Sequence, residues 1–238
     1  MLSLAVSQGW SLRQLDINNA FLQGTLTEDV YTIQPPGYTD PIHPTHVCKL
    51  NKALYGLKQA PRAWYKELRQ YLIELGFKNT VSDSSLFTLH KNGDIIYLLV
   101  YVDDIIVTSN ATHALEAFIK KLATRFSLKD YGELPYFLGV EVMPHPKGIF
   151  LSQKRYVADI LCKDNIDNAK PAATPLATHP PLTIHGNLLN DPTEYRTLIR
   201  GLQYLSLTRP DVAFAVNKLA QYMQRPTEEH MQSLHRLL

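Results

Sequence analysis

Asp103 and Asp104 stand side by side within a strongly apolar stretch, Ile95-Ile96-Tyr97-Leu98-Leu99-Val100-Tyr101-Val102-Asp103-Asp104-Ile105-Ile106-Val107. Holding two like-charged carboxylates together among apolar neighbours is costly unless a cation or another partner compensates them. The flanking runs read as the arms of a hairpin, both in the core, with the acids at its tight turn. An ordinary solvated turn is the competing reading. Such turns usually carry Gly, Asn or Pro at the bend, so a divalent-cation site is favoured.

A third carboxylate lies upstream. Leu12-Arg13-Gln14-Leu15-Asp16-Ile17 is a short strand-like run that ends near Asp16 and passes into the polar Asn18-Asn19. Taken alone, Asp16 is strand punctuation. If its strand neighbours the hairpin in a sheet, it can meet Asp103 and Asp104. Three carboxylates with no Cys or His nearby are hard oxygen ligands, suited to Mg2+ or Mn2+ rather than Zn2+. Two such ions about 4 Å apart would clamp an in-line phosphoryl displacement.

Apolar spacing outlines the elements that must hold these acids. Strands are predicted at 12–17, 30–34 and 47–50, with Pro35-Pro36-Gly37 ending the second. Pro61 suits the first turn of a helix running to Leu75, with Trp64, Leu68, Leu72 and Leu75 on one face and Gly76 as its stop. Residues 85–90 and 94–102 read as strands joined at Lys91-Asn92-Gly93, a strong hairpin signal. The strand leaving the aspartates, 105–108, precedes a helix over 112–126. Segments 135–143 and 149–151 flank a Pro/Gly turn and read as another hairpin. The order strand, helix, strands, helix, strand is the split βαβ pattern of a ferredoxin-like sheet, hence an α+β fold. Many unrelated functions share that pattern.

Beyond residue 151 the chain reads as helical. Ser152 can cap a helix bearing Tyr156 and Leu161, while 171–190 is Pro-rich and polar, a predicted loop. Asp191, Pro192 and Glu194 have a capping-box-like spacing. Pro210 starts a helix with Val212, Val216, Leu219 and Met223 on one face, and 227–238 is amphipathic.

A chain of 238 residues is long enough for one large domain or two small ones. A net charge of +2 does not announce a nucleic-acid binder, though Lys49, Lys52, Lys58, Arg62 and Lys66 cluster. That cluster fits a solvated helix face equally well. Cys48 and Cys162 alone give no disulfide framework and no zinc spacing, as in a reduced compartment. His43 and His46 fall in a Pro-rich loop and read as exposed. The longest apolar run, broken by the aspartates, is too short to span a bilayer, and no secretory signal is present. Both ends read as cuts in a longer polyprotein.

Five segments, in order, resemble the reverse transcriptase of copia-type long-terminal-repeat retrotransposons. They are Leu-Asp-Ile-Asn-Asn-Ala-Phe-Leu-Gln-Gly (15–24), Gln-Pro-Pro-Gly-Tyr (34–38), Leu-Tyr-Gly-Leu-Lys-Gln-Ala-Pro-Arg-Ala-Trp-Tyr (54–65), Tyr-Val-Asp-Asp (101–104) and Tyr-Phe-Leu-Gly-Val-Glu-Val (136–142). Residues 195–198 and 208–217 resemble the family's downstream segment. Tyr-Val-Asp-Asp by itself would be a weak signal; the ordered set covers nearly the whole chain.

The resemblance implies a ferredoxin-like polymerase palm with partial fingers (about 30–60) over 1–151. A helical thumb- or connection-like region would follow over 152–238. It implies RNA-directed DNA polymerase activity, adding deoxynucleotides to a primer 3′-hydroxyl on an RNA or DNA template. Asp16 and Asp103 would bridge two Mg2+ or Mn2+ ions, with Asp104 in weaker or indirect contact. The backbone of Ile17, Asn19 and Ala20 would approach the triphosphate. Phe21 would lie under the deoxyribose and exclude a 2′-hydroxyl; without the family it reads as a core Phe. Gly56, Gln59, Pro61 and Arg62 would shape the nucleotide and template surface. Phe137, Leu138 and Gly139 match the primer-grip segment, although a core strand fits them equally.

Tyr55 stands where many relatives outside the copia type carry Gln, and Arg200 where relatives tend to have Gly. The implied partners are template with primer, deoxynucleoside triphosphates and the rest of a Gag-Pol-like polyprotein, with no membrane. The implied setting is intracellular, in cytoplasmic virus-like particles or the nucleus. Two other readings stay open: an inactive remnant that at most binds nucleic acid, and a metal-dependent nuclease or cyclase using the same carboxylate geometry.

Overall fold

In strand β1 (Leu12–Ile17), which follows helix α1 (Leu2–Gln8), Leu15 and Ile17 point to one face and are buried. Asp16 therefore points to the other, because successive strand side chains alternate. The computed structural model describes residues 1–164, 166 and 170–238. It divides into two units, Met1–Pro135 with Pro146–Gly148, and Tyr136–His145 with Ile149–Leu238. Both are mixtures of helices and antiparallel sheet.

In the first unit, the one-turn helix α2 (Ala20–Gln23) follows β1. Strands β2 (Thr25–Ile33) and β3 (Val47–Lys52) then form a separate two-stranded arm. The arm is longer than predicted. In the loop beyond it, Gln34 holds the carbonyls of His43 and His46, and both histidines are exposed.

Helix α3 (Ala60–Glu74) leads through β4 (Lys78–Asn79), β5 (Leu86–Lys91), β6 (Asp94–Tyr101) and β7 (Asp104–Ser109) to α4 (Thr112–Arg125) and β8 (Leu128–Glu133). The six-stranded sheet runs β4-β5-β6-β7-β1-β8. Every pair along it is antiparallel.

Apolar residues at i, i+4, i+8 make α3 bury Trp64, Leu68 and Leu72. These pack with Leu115, Phe118, Ile119 and Leu122 of α4 over Leu15, Ile17, Leu98, Val100, Ile105 and Val107 of the sheet. Fully burying each such side chain is worth roughly 1.5–3 kcal/mol. That burial, rather than helix propensity, fixes both helices against the sheet. Gly76, at φ 96, ends α3 as expected.

Strand β8 has no clear signal in Leu128-Lys129-Asp130-Tyr131-Gly132-Glu133. As an edge strand its side chains are mostly solvated, so little alternation marks it; the ladder to β1 supplies its order.

In the second unit, the predicted strand over 135–143 is broken. Leu138 (φ 47) and Gly139 (φ 78) form a two-residue turn between β9 (Tyr136–Phe137) and β10 (Val140–His145). Positive φ at both central residues suits a type I′ hairpin. Strand β11 (Gly148–Ser152) completes the three-stranded sheet. Helix α5 (Lys154–Lys163) starts where the Ser152 hydroxyl accepts the Lys154 amide.

Residues 171–190 hold no helix. Helices α6 (Thr193–Gln203), α7 (Pro210–Ala220) and α8 (Glu228–Leu237) then pack through Tyr195, Leu198, Ile199, Leu202, Val212, Val216, Leu219 and Leu234. The Tyr195 hydroxyl donates to the Leu219 carbonyl at 2.8 Å, and burial pushes its phenol pKa up.

The capping box is not at Asp191, whose carboxylate accepts the Thr193 amide just before α6. It forms instead between Thr227 and His230 at the start of α8. Among the described residues no helix is long and apolar enough to cross a membrane.

Candidate functional site

The β6–β7 hairpin closes between Tyr101 and Asp104, leaving Val102 and Asp103 as its two-residue turn. Val102 sits at φ 57. For a β-branched residue that backbone is strained, at a cost of about 1–3 kcal/mol, and persists only where the surroundings enforce it. The enforcing contacts are visible. The Trp64 indole Nε1 donates to the Val102 carbonyl at 2.6 Å, and the Ile17 amide donates to the Asp103 carbonyl at 3.0 Å. Thus α3 and the end of β1 both grip the turn.

Register does the rest. Asp16 lies directly opposite Asp104 across the β1–β7 ladder, so both side chains leave the sheet on the same face, away from α3 and α4. Desolvation, then the negative charges of Asp103 and Asp104, push the Asp16 carboxyl above its ordinary value; Lys129 acts the other way. The three acids thus share one electrostatic neighbourhood, which Lys129 partly offsets. Strand β1 is therefore the sheet neighbour of the hairpin, with Asp16 on the same face as Asp104.

The donor set is entirely hard oxygen and fits Mg2+ or Mn2+ in its chemistry. Among the described residues no three such donors are gathered closely enough to hold an ion as they stand. One oxygen of each tandem acid already has a partner. Asp103 Oδ2 accepts the Tyr55 hydroxyl at 2.8 Å, and Asp104 Oδ1 accepts the Gln14 amide at 3.3 Å.

The remaining candidates fall in two groups. Asn19, in the left-handed region at φ 52, caps α2 and leads into Ala20 and Phe21. The Ile17 amide is committed to the Asp103 carbonyl at 3.0 Å. Phe21 is only 7% exposed and belongs to the core cluster, and Tyr55 covers its outward side with ring centroids 4.2 Å apart.

Gly56, at φ 94, has open space where a Cβ would stand, so its backbone conformation rather than crowding calls for glycine. Gln59 precedes α3, and Pro61 and Arg62 are exposed in its first turn. Phe137, Leu138 and Gly139 belong to the second unit, at the β9–β10 turn, where the Tyr204 hydroxyl donates to the Leu138 carbonyl. Of the basic cluster, Lys49 pairs with Asp29 at 2.6 Å on the β2–β3 arm, and Arg62 and Lys66 lie exposed on α3.

Three contributors escaped the sequence reading: Tyr55 as a partner of Asp103, Gln14 as a partner of Asp104, and Trp64 as the clamp on Val102. Only Tyr55 carried a signal, as the departure from Gln within segment 54–65.

Residues 1–178 match the family model described as reverse transcriptase (RNA-dependent DNA polymerase). All of this chain aligns with the retrovirus-related Pol polyprotein from transposon RE1 of Arabidopsis thaliana, at 56% identity over 239 residues, or 16% of that relative. It aligns equally fully with the Pol polyprotein from transposon TNT 1-94 of Nicotiana tabacum, at 35% identity and 19% of that relative. A transposon Ty5-1 protein of Saccharomyces cerevisiae is 31% identical over 227 residues, 94% of this chain and 74% of that protein. The chain thus spans less than a fifth of the length of the plant polyproteins it matches.

Proposed function

Because the chain belongs to the copia-type reverse transcriptase family, we propose that it is the polymerase segment of a retrotransposon Pol polyprotein, extending a primer 3′-hydroxyl with deoxynucleotides on an RNA or DNA template. The observation that carries this reading is the ladder pairing of Asp16 with Asp104, beside Asp103 in a strained turn.

The β1, β6, β7, β8 set, with α3 and α4 as its crossovers, has the strand order of a ferredoxin-like sheet and supports a palm in the first unit, which ends at Pro135 rather than at the expected 151 apart from Pro146–Gly148. The β2–β3 arm stands for part of the fingers (about 30–60), and the helices of 152–238 for a thumb- or connection-like region. Asp16 and Asp103 would hold two Mg2+ or Mn2+ ions, with Asp104 acting less directly. Bound there, such ions would lower the pKa of the primer hydroxyl and neutralise the triphosphate and its departing pyrophosphate.

The chain's own residues position the reactants. The amides of Asn19 and Ala20 meet the triphosphate. Phe21, beneath Tyr55, backs the sugar pocket and disfavours a 2′-hydroxyl. Gly56, Gln59, Pro61 and Arg62 shape the nucleotide and template surface, and Phe137, Leu138 and Gly139 grip the primer. The rest of the polyprotein is the covalent partner, and the setting is intracellular.

Primer extension on a homopolymer template with Mg2+ or Mn2+ tests the proposal, using this chain, an upstream-extended version and Asp103→Asn. Extension by either wild-type form, abolished by the substitution, supports it. No extension by either form, with nucleic-acid binding retained, would favour the inactive remnant.

A further inference from the structure

Tyr55 is 63% exposed, yet both ends of its side chain are held. Its hydroxyl donates to Asp103 Oδ2 at 2.8 Å, and its ring lies against Phe21 at 4.2 Å with 50° between the planes. An exposed phenol can satisfy its hydroxyl with water at little cost, so a committed hydrogen bond to a crowded carboxylate calls for an account.

The backbone presents this side chain rigidly. The Leu57 amide bonds to the Leu54 carbonyl at 3.3 Å, closing a four-residue turn with Tyr55 and Gly56 at its centre. Positive φ at Gly56, the third position, is what a type II turn requires. The Ala53 amide is tied to the Gly24 carbonyl at 3.0 Å, which anchors the turn to the chain just after Phe21.

A carboxylate with one oxygen fixed by a donor cannot rotate freely about its Cβ–Cγ bond. Its other oxygen then keeps one direction. Metal-binding carboxylates are commonly oriented in this way by hydrogen-bonded neighbours.

We propose that Tyr55 is a positioning residue for Asp103: its hydroxyl fixes Oδ2, its ring braces on Phe21, and Oδ1 is left to face a divalent cation. This rests on the metal-dependent reading above.

The test uses this chain and Mn2+ alone, with free Mn2+ followed by electron paramagnetic resonance and no nucleotide or nucleic acid present. Four proteins are compared: wild type, Asp103→Asn, Tyr55→Phe, and Leu54→Ala, which alters the same exposed turn without touching the hydroxyl. Tyr55→Phe keeps the ring on Phe21 and should melt like the wild type. It should weaken Mn2+ binding about tenfold or more, the size of effect seen when a partner of a metal-binding side chain is lost. Asp103→Asn should abolish the binding, and Leu54→Ala should leave it unchanged. Wild-type affinity in Tyr55→Phe, with binding lost in Asp103→Asn, overturns the tyrosine's role alone. Tighter binding in Tyr55→Phe also overturns it, since the hydroxyl would then obstruct the cation. Equal binding by wild type and Asp103→Asn overturns the metal reading and this inference together.

Discussion

Replacing Trp64 with Phe separates the clamp on the aspartate turn from the core around it. Trp64 is 1% exposed, meets Phe126 edge-on at 5.2 Å, and donates its indole hydrogen to the Val102 carbonyl. Phenylalanine keeps an aromatic ring in that space but cannot donate. Leaving this half-buried carbonyl without its partner costs at most about 1–3 kcal/mol, the range for a buried group. The smaller ring also leaves roughly 40 Å³ of void, which at about 24 cal/mol/Å³ adds ~1 kcal/mol. The sum, at most about 2–4 kcal/mol, is a large share of the roughly 5–15 kcal/mol that holds a typical domain together. The chain should fold, with a lower urea midpoint and an unchanged slope. The lost bond also opposed the strain at Val102, so the turn should relax and Mn2+ affinity should fall with stability. An unfolding free energy within ~0.5 kcal/mol of wild type would refute the clamp. A stability loss with Mn2+ binding intact would refute the link from indole to turn.

Two further outcomes follow from charges. The Asp16 carboxyl is pushed above its ordinary value of 3.8, so the folded state holds that proton more firmly than the unfolded chain. Its stabilising effect is present below 3.8 and is lost as pH rises through the folded value, leaving repulsion at neutral pH. Asp16→Asn should therefore melt higher than wild type at neutral pH, with the difference vanishing on acidification, while Mn2+ stabilises the wild type only. Equal melting curves at neutral pH would sink this account. In the second unit, burial holds the His230 imidazole below its ordinary value of 6.5; its Nδ1 accepts the Thr227 amide at 2.9 Å, and its ring stacks on Tyr222. Stability from that arrangement is complete above 6.5 and is lost as pH falls toward the folded value. Fluorescence melts of the wild type should show the loss. His230→Gln, which keeps a capping-box side chain, should flatten it.

Elements whose signal is local could be read directly. The apolar arms around Asp103 and Asp104 announced a hairpin, because an unbroken apolar run and a sudden pair of acids need only neighbours in sequence. Helix α3 was legible from Trp64, Leu68 and Leu72 for the same reason. The run over 135–143 misled, since its apolar residues continue through a turn that only the positive φ values of Leu138 and Gly139 reveal. Strand β8 was silent, because an edge strand facing water has no apolar face to display.

The sequence by itself determined which side chains could do chemistry, and through its ordered segments the family to which they belong. Only the tertiary structure decided that Asp16 pairs with Asp104, that Trp64 holds the strained turn, and that Tyr55 occupies an oxygen of Asp103. These partners are separated by tens of residues along the chain. Their meeting depends on strand register and helix packing, which follow from burying one shared core, and a side chain's local neighbours carry no trace of it.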